Sequence, residues 1–238
     1  MNVFVTGGSR GIGRAIALRF AHDGAERIAI GYLRNDTAAE ETAGELRALG
    51  AEVTLVRGNV TSQRVLDEVA ALGPLDVLVH NAATGVIRPA LETEDKHWDW
   101  TMNANARALL QLARVAAPSM PDGSSIVALS SLGAQRVLSN YVLVGTSKAA
   151  LEALVRYLGV ELAPRIRVNA VSGGVVDTEA LDWFPNKEQM LKTVKRTPVQ
   201  RLVETKDMAA VVSFLCSPDA AMICGQTLIV DGGYSLSA

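Results

Sequence analysis

Residues 6–13 read Thr6-Gly7-Gly8-Ser9-Arg10-Gly11-Ile12-Gly13, and they lie between a short apolar run and the helical pattern RAIALRFA. Glycines permit a tight turn and a close approach of the backbone to a ligand, and the helix that follows offers unpaired amides and the positive end of its dipole. Such a turn between a first strand and a first helix is typical of dinucleotide binding. The stretch therefore predicts a turn that binds a pyrophosphate, and the alternative is a turn with a structural role only.

Short β-branched runs alternate with amphipathic segments along the rest of the chain. The runs cover residues 3–5, 27–30, 52–56, 76–79, 125–129, 165–171 and 227–230, and the clearest helical segments cover 13–23, 36–49 and 149–162. Strands that alternate with helices need crossover connections, which produce a mostly parallel sheet with helices on both faces. We therefore expect an α/β fold, a doubly wound Rossmann-like parallel sheet that forms a single domain over residues 1–238.

The composition excludes several classes of protein. The chain has 238 residues, of which 49% are hydrophobic and 20% charged, and this mix suits one globular domain with a large core. A net charge of −2 is too weak to indicate nucleic acid or an anionic membrane as a partner. No apolar run approaches the roughly 18 residues of a membrane span, and MNVFVTGGSRG lacks the pattern of a signal peptide. We expect a cytoplasmic protein with no nucleic-acid or membrane partner.

The cysteines and histidines show no metal-ligand spacing. The chain contains Cys216, Cys224, His22, His80 and His97, and none of them forms a CxxC or a comparable cluster. We therefore expect reduced thiols and no metal site.

Motifs along the whole chain resemble those of the short-chain dehydrogenase/reductase family. The glycine-rich turn resembles the family's TGxxxGxG pattern. Further similar positions are Asn59-Val60, Asn81-Ala82-Ala83, Asn105, Lys148 in TSKAALEAL, and Ser172-Gly173-Gly174-Val175-Val176-Asp177-Thr178. Three of them depart from the family pattern, because Asn59 replaces the usual Asp, Ala83 replaces a Gly and Gly173 replaces a Pro.

The resemblance implies a nicotinamide cofactor and an oligomeric assembly. The cofactor-binding residues that it implies are Gly7, Ser9, Arg10, Gly11, Ile12, Gly13, Arg34, Asn59, Val60, Asn81, Ala82, Ala83, Lys148, Gly174 and Thr178. It also implies a homotetramer or homodimer.

The residues after the second strand favour NADPH. A carboxylate at this place usually binds a free ribose 2′-hydroxyl, whereas a 2′-phosphate favours arginine. The chain reads Gly31-Tyr32-Leu33-Arg34 here, and Arg10 is available from the glycine-rich turn. The alternative for Arg34 is a solvated loop residue.

The spacing of tyrosine and lysine departs from the commonest family pattern, YxxxK. Val144 stands four residues before Lys148, and the nearest tyrosine is Tyr141, which gives Yx6K. On a continuous helix, positions seven apart differ by only about 20°, so Tyr141 and Lys148 are expected to share a face. Tyr141 is then displaced by roughly 4.5 Å along the axis from the usual place of the tyrosine.

This displacement suits the reduction of a carbon–carbon double bond. In an α,β-unsaturated thioester the hydride adds to the β carbon, and negative charge develops on an oxygen two bonds further away. A tyrosine set back along the helix can stabilise that enolate oxygen. Yx6K is also the spacing of enoyl-acyl-carrier-protein reductases, and LSSLGAQRVLSNYVLVGTSKAALEALVRYLGVEL resembles their NADPH-dependent type III. The resemblance implies reduction of a trans-2-enoyl thioester, carried by acyl carrier protein or CoA, in fatty-acid or polyketide-type biosynthesis.

The same resemblance implies four catalytic residues. Tyr141 would donate a hydrogen bond or a proton to the thioester oxygen, and Lys148 would hold the nicotinamide ribose and lower the cost of charge near Tyr141. Ser131, ten residues before Tyr141, and Asn105 would support them. The alternatives are a strand-capping role for Ser131, a structural polar role for Asn105, and a packing role for Tyr141.

Two other functions stay open at this point. The first is a carbonyl reductase, such as a 3-oxoacyl thioester reductase, in which a different substrate pose brings the carbonyl to Tyr141. The second is a catalytically inactive dinucleotide-binding protein.

Residues 178–205 fit the alternation poorly and lie between the sixth and seventh strands, which predicts a short helical lid that covers the substrate. Residues 187–206 carry a local charge balance of +4. The charged residues are Lys187, Lys192, Lys195, Arg196, Arg201 and Lys206, with Glu188 and Glu204. A basic lid can steer an acidic carrier protein or the phosphates of CoA, and the alternative is a solvated helix face.

Overall fold

The computed structural model describes residues 1–176 and 197–236. Its centre is a seven-stranded sheet in the order β3-β2-β1-β4-β5-β6-β7, in which all neighbouring strands are parallel. The strands are β1 Asn2–Thr6, β2 Arg27–Tyr32, β3 Glu52–Arg57, β4 Val77–His80, β5 Ser124–Ser131, β6 Ile166–Gly173 and β7 Thr227–Val230. The doubly wound parallel sheet expected from the sequence is confirmed, and each predicted run corresponds to one strand.

Helices connect successive strands and cover both faces of the sheet. They are α1 Gly11–His22, α2 Asp36–Ala48, α3 Gln63–Ala71, α4 Asp95–Met102, α5 Ala108–Ala116, α6 Val142–Leu162 and α7 Thr205–Cys216. A π-helical turn, Asn103–Arg107, joins α4 to α5. No helix in the described part of the chain is long and apolar enough to cross a membrane.

Strand alternation divides the core into two layers. In β1, Val3 and Val5 point to the layer that contains α1 and α7, whereas Phe4 points to the layer that contains α3, α5 and α6. Because both faces of the central strands are buried, their sequences are continuously apolar. This packing fixes the carboxyl ends of the strands along one edge of the sheet.

The chain order reverses between β1 and β4, which are neighbours in the sheet. The crevice outside such a switch point is the usual ligand site of open α/β sheets. Most of the predicted lid, residues 178–196, lies outside the described residues. Its last part returns to the sheet, where Val203 forms an isolated parallel bridge with Val176.

Candidate active site

The glycine-rich turn closes tightly between β1 and α1. Gly7 has a φ of +64°, a conformation that side chains rarely adopt. A Cβ on Gly13 would overlap the carbonyl oxygen of Gly7. The backbone oxygen of Ser9 accepts a hydrogen bond from Thr42 Oγ1 at 3.0 Å, which joins the turn to α2.

Asn81 holds this turn from the neighbouring strand. Its Nδ2 donates to the backbone oxygens of Thr6 and Gly7, at 3.0 and 3.1 Å. In return, Thr6 Oγ1 accepts from the backbone amides of Asn81 and Ala82, at 3.0 and 2.9 Å. The turn is therefore fixed before any ligand binds.

The residues present fit the pyrophosphate of a dinucleotide. A Cβ at Gly7 or at Gly13 would collide with the Asn81 side chain, so the tight turn requires glycine at both positions. Helix α1 begins at Gly11, two residues before the predicted start, and its first turn contains no acidic side chain. The amides of that turn and the helix dipole therefore favour an anion. Arg10 is the N-cap residue of α1, and Ile12 packs against the core.

The carboxyl ends of β2 and β3 carry basic rather than acidic side chains. Arg34 is exposed just beyond β2, and no ion pair to it is found within residues 1–176 and 197–236. The nearby Asp36 is paired with Arg57, at 3.2 Å. This end of the site therefore suits a phosphate better than a free hydroxyl that needs a carboxylate.

Asn59 and Val60 follow β3 at the same edge. The Oδ1 of Asn59 accepts from the backbone amide and the hydroxyl of Thr61, at 3.1 and 3.0 Å, so this side chain bonds within its own turn. Val60 packs against the core on the α3 side.

His80, the last residue of β4, connects the glycine-rich turn to the π-helical turn. Its Nδ1 lies 3.3 Å from Thr6 Oγ1, and its Nε2 lies 3.1 Å from the backbone oxygen of Asn105. The Thr6 hydroxyl already accepts from two amides, so its proton points to Nδ1 and the imidazole proton resides on Nε2. Burial, with a smaller contribution from Lys148, lowers the pKa of His80 to about 4, so the ring is neutral at pH 7.

Asn105 lies in the π-helical turn and is completely buried. Its Oδ1 accepts from the amide of Thr84 at 2.8 Å, and its Nδ2 donates to the oxygen of Thr84 and to Ser147 Oγ, both at 2.9 Å. The side chain therefore ties the segment after β4 to α6. This arrangement gives Asn105 a positioning role, and π-helical turns are frequent at functional sites.

Tyr141 is the N-cap residue of α6, which begins at Val142. Tyr141 has a φ of −104° and a ψ of 12°, so it lies one residue before the helix, although its backbone oxygen accepts the first helical bond from the amide of Gly145 at 2.7 Å. That the side chains of Tyr141 and Lys148 share a face stays a prediction. The hydroxyl of Tyr141 is nonetheless within reach of the strand edge, and it donates to Ser131 Oγ at 3.3 Å. Burial raises the pKa of Tyr141, and the bond to Ser131 partly offsets this effect.

Val144 occupies the position four residues before Lys148. Its side chain is 8% exposed and packs so closely on Gly85 that a Cβ at position 85 would overlap its Cγ2. This position therefore supplies an apolar contact, and the phenol near the strand edge comes from Tyr141.

Lys148 lies in α6 with its side chain 5% exposed. Its Nζ donates to the backbone oxygen of Leu129 at 2.6 Å. Burial lowers the pKa of Lys148 to about 8, and the nearby Glu152 carboxylate acts in the opposite direction. The amine is thus mostly protonated at pH 7, and it lies about two turns after the N-cap residue Tyr141.

Three cofactor residues predicted from the sequence remain to be placed. Ala83 is exposed after β4, and Gly174 follows β6, where its amide donates to the oxygen of Val230 at 2.9 Å. Thr178 lies outside the described residues. Ala83 and Gly174 thus lie at the same edge of the sheet as the glycine-rich turn.

Sequence reasoning missed four residues that shape the site, namely His80, Gly133, Ser147 and Glu152. His80 directly precedes Asn81, and Glu152 lies one turn after Lys148, so proximity to predicted residues was the available signal. The burial of His80, Ser147 and Glu152 and the contact of Gly133 with Tyr141 have no signature in a single sequence.

Known proteins match this chain along almost its whole length. A family model described as enoyl-(acyl carrier protein) reductase matches residues 7–235. The chain is 38% identical over 243 residues to 1-cyclohexenylcarbonyl-CoA reductase of Streptomyces collinus, an alignment that covers 98% of this chain and 86% of that protein.

Solved structures share the fold along nearly the whole chain. A blue fluorescent protein from a metagenomic library, in complex with NADPH, is 34% identical with a TM-score of 0.90, and the alignment covers 98% of this chain and 97% of the other. An angucycline C-6 ketoreductase with bound NADP is 30% identical with a TM-score of 0.91, with 99% and 96% covered.

Proposed function

Because the chain belongs to the short-chain dehydrogenase/reductase superfamily of oxidoreductases, we propose that it uses NADPH to reduce the carbon–carbon double bond of a trans-2-enoyl thioester. The observation that carries this proposal is the position of the Tyr141 hydroxyl, 3.3 Å from Ser131 Oγ, in combination with the apolar Val144 in the usual tyrosine position. A phenol that precedes α6 is suited to an oxygen remote from the carbon that accepts hydride.

When bound, the nicotinamide supplies the hydride that the β carbon of the substrate accepts. Tyr141 donates a hydrogen bond to the thioester oxygen as negative charge develops there, and a proton from solvent adds to the α carbon to complete the reduction. The phenol is protonated at neutral pH because burial raises its pKa, so it is a donor when the charge appears. Ser131 orients the phenol by accepting its hydrogen bond in the resting site.

Lys148 places a positive charge in the buried part of the site. In a low-dielectric environment an ammonium stabilises developing negative charge more strongly than it would in water. Its Nζ is held by the oxygen of Leu129 at 2.6 Å, which leaves two N–H groups for ribose hydroxyls of the cofactor. Asn105 keeps the neighbouring backbone in place through its bonds to Thr84 and Ser147.

The choice of NADPH over NADH is supported by the basic adenosine end of the site. Arg34 is exposed beyond β2, Arg10 is the N-cap residue of α1, and Asp36 forms an exposed ion pair with Arg57. Related solved structures that contain NADPH or NADP agree with this preference.

The thioester substrate is supported by one relative and by the family model. The name of the Streptomyces collinus relative denotes a reductase of an α,β-unsaturated CoA thioester, and the family model carries an enoyl reductase description. The carrier is acyl carrier protein or CoA, and a biosynthetic role in fatty-acid or polyketide-type pathways follows from such a substrate.

A second candidate function is reduction of a carbonyl group, such as that of a 3-oxoacyl thioester. The observation that favours it is the similarity to an angucycline C-6 ketoreductase over 99% of this chain. The test is NADPH oxidation with crotonyl-CoA and with acetoacetyl-CoA in separate assays. Turnover of crotonyl-CoA alone supports enoyl reduction, turnover of acetoacetyl-CoA alone supports ketone reduction, and NADPH binding without turnover of either indicates an inactive dinucleotide-binding protein.

The assembly that we propose is a homotetramer or homodimer. Helix α6 presents Tyr157 and Val160 to solvent, with 77% and 83% of their surfaces exposed in the single chain. Exposed large apolar side chains on one helix are typical of an association surface. Light scattering of the purified protein tests this proposal, and a monomer at micromolar concentration would contradict it.

A further inference from the structure

The last three residues of β5 each contact a different polar side chain from the start or the body of α6. The oxygen of Leu129 accepts from Lys148 Nζ at 2.6 Å. Ser130 Oγ donates to Glu152 Oε1 at 2.6 Å, and Ser131 Oγ accepts from Tyr141 at 3.3 Å. Two of these side chains, Lys148 and Tyr141, belong to the proposed mechanism, whereas Glu152 has no role in it.

Glu152 is a buried carboxylate with both oxygens bonded. Only 4% of the residue is exposed, and its Oε2 accepts from Gln135 Nε2 at 3.0 Å. Gln135 follows directly after the short 3₁₀ turn Leu132–Ala134, so the carboxylate joins this segment to α6. Burying a charge is costly unless it is paired and hydrogen-bonded, and an apolar residue of similar volume often stabilises a protein as well or better. Stability alone therefore gives little reason for an acid at this place.

The charges around Lys148 supply a reason. Lys148 and Glu152 are four residues apart on the buried face of α6, where side chains at this spacing are neighbours. Two neutral groups also lie close to Lys148, namely the uncharged imidazole of His80 from β4 and the backbone oxygen of Leu129 from β5. Within the described residues, Glu152 is the group in this pocket that opposes the desolvation of the ammonium.

We propose that Glu152 is a positioning residue that keeps Lys148 positively charged in a dry pocket and holds the segment beneath Tyr141 against α6. The carboxylate acts through Lys148 and does not touch the substrate. The kinetic consequence of this role rests on the proposed function. The charge state of Lys148 itself can be measured through protein stability, without substrate or cofactor.

The variant Glu152→Gln removes the charge and keeps the shape and the acceptor for Ser130. Without the carboxylate, the protonated form of Lys148 is less stable, and the pKa of this lysine falls below about 8. We expect the alkaline limb of the kcat/KM profile to move by about one pH unit toward lower pH. Glu161→Gln, an exposed glutamate on the same helix, is the matched control and leaves the profile in place.

A measurement on the cofactor-free protein separates this inference from the proposed function. The pKa of Lys148 is about 8 in the folded chain and near 10.5 in the unfolded chain. Below pH 8 the buried charge therefore lowers the free energy of unfolding by its full amount, and this loss of stability disappears as the pH rises from 8 to 10.5. Without the Glu152 carboxylate, this loss of stability is larger, and it begins to disappear at a lower pH. Chemical unfolding should therefore show Glu152→Gln less stable than the wild type at about pH 6, with a difference that shrinks between about pH 7 and pH 8 and is nearly gone above that range.

A double-mutant cycle with Lys148→Met completes the test. In the Lys148→Met background, Glu152→Gln should destabilise the chain less than in the wild type, because no ammonium remains to be compensated and only the bond from Gln135 is weakened. If the single variant does not fold, the double variant should fold. A stability difference between Glu152→Gln and wild type that is the same at every pH, or a destabilisation that is equally large in the Lys148→Met background, would overturn the inference even if the protein reduced no enoyl thioester.

Discussion

The ring of Tyr141 lies directly on Gly133, so closely that a Cβ built at position 133 would come within 2.5 Å of the ring carbons Cδ1 and Cε1. Gly133 belongs to the 3₁₀ turn that follows Ser131, and Ser131 accepts the hydrogen bond of the phenol. Tyr141 thus reaches the strand edge from a position before α6 because position 133 has no side chain. The use of a displaced tyrosine depends on this glycine as well as on the tyrosine itself.

Replacing Gly133 by Ala should therefore reduce turnover without harming the fold. Gly133 does not have a positive φ, so alanine is compatible with the backbone, but the added methyl group displaces the phenol. We expect kcat with an enoyl thioester to fall by at least about tenfold, since a misplacement near 1 Å can cost about a hundredfold. Stopped-flow and steady-state assays check this, and binding of NADPH by fluorescence should be unchanged.

Two controls make this result specific. Gly44→Ala, in α2 with nothing within 4 Å of the added methyl group, should leave kcat unaltered. Tyr141→Phe should lower kcat by about a hundredfold or more, the usual effect of losing one donor to a developing oxyanion. In the Tyr141→Phe background, Gly133→Ala should cost little more. Losses that multiply would mean that Gly133 acts independently of the phenol.

The cofactor preference is tested at the end of β2. Arg34→Ala should weaken NADPH binding by about tenfold or more, because a charge-assisted bond to phosphate contributes roughly 1.5–3 kcal/mol. Binding of NADH should stay the same, so the ratio of the two dissociation constants is the quantity to measure. Arg27→Ala, an exposed arginine at the opposite end of the same strand, serves as the control. Equal losses for both cofactors would place Arg34 outside the 2′-phosphate site.

Buried His80 should make stability sensitive to acid. Its pKa is about 4 in the folded chain and 6.5 in the unfolded one, so its contribution is fully present above pH 6.5 and is lost as the pH falls toward 4. The loss amounts to about 3 kcal/mol over this range. His80→Asn should be less stable at pH 7 but flatter between pH 6.5 and 4 in urea titrations. His22→Asn, an exposed histidine, should keep the wild-type slope, and an unchanged slope in His80→Asn would contradict the assignment.

The basic stretch read from the sequence at 187–206 predicts an effect on the carrier. Charge reversal at Lys192 and Arg196, which lie outside the described residues, should raise KM for an acyl-carrier-protein thioester, and the effect should fade as salt increases. The comparison to make is KM at low and at high ionic strength, with kcat as the internal reference. A KM that is insensitive to both the substitutions and the salt would leave this stretch without a steering role.

The fold could be predicted from the sequence because its signals are local. The runs that form β1 to β7 are rich in β-branched residues, as is typical of buried parallel strands. The turn at residues 6–13 has the glycine spacing that binding of a pyrophosphate requires. The start of α6 could not be predicted in the same way. Asn140 has a φ of +61°, and the amide of Arg88 donates to its oxygen at 2.9 Å, so the helix start is set by a contact between distant loops.

The sequence allowed candidate site residues to be named only where they belong to motifs. Tyr141 donates to Ser131 and Lys148 donates to the oxygen of Leu129, so both side chains contact the end of β5, and Tyr141 does so from the N-cap of α6. Glu152 has the pattern of an ordinary helix glutamate, and its importance comes from a burial that depends on Ser130 and Gln135. Long-range packing of this kind has no period or spacing that a single sequence reveals.

The most direct test of enoyl reduction follows the hydride itself. NADPH that carries deuterium at both C4 positions is given to the wild-type protein with equal concentrations of crotonyl-CoA and acetoacetyl-CoA, and the products are analysed by mass spectrometry. We predict butyryl-CoA with one deuterium on C3 as the product. With Tyr141→Phe, the rate at which this product forms should be about a hundredfold lower. Deuterated 3-hydroxybutyryl-CoA as the main product would contradict the account and assign the protein to ketone reduction.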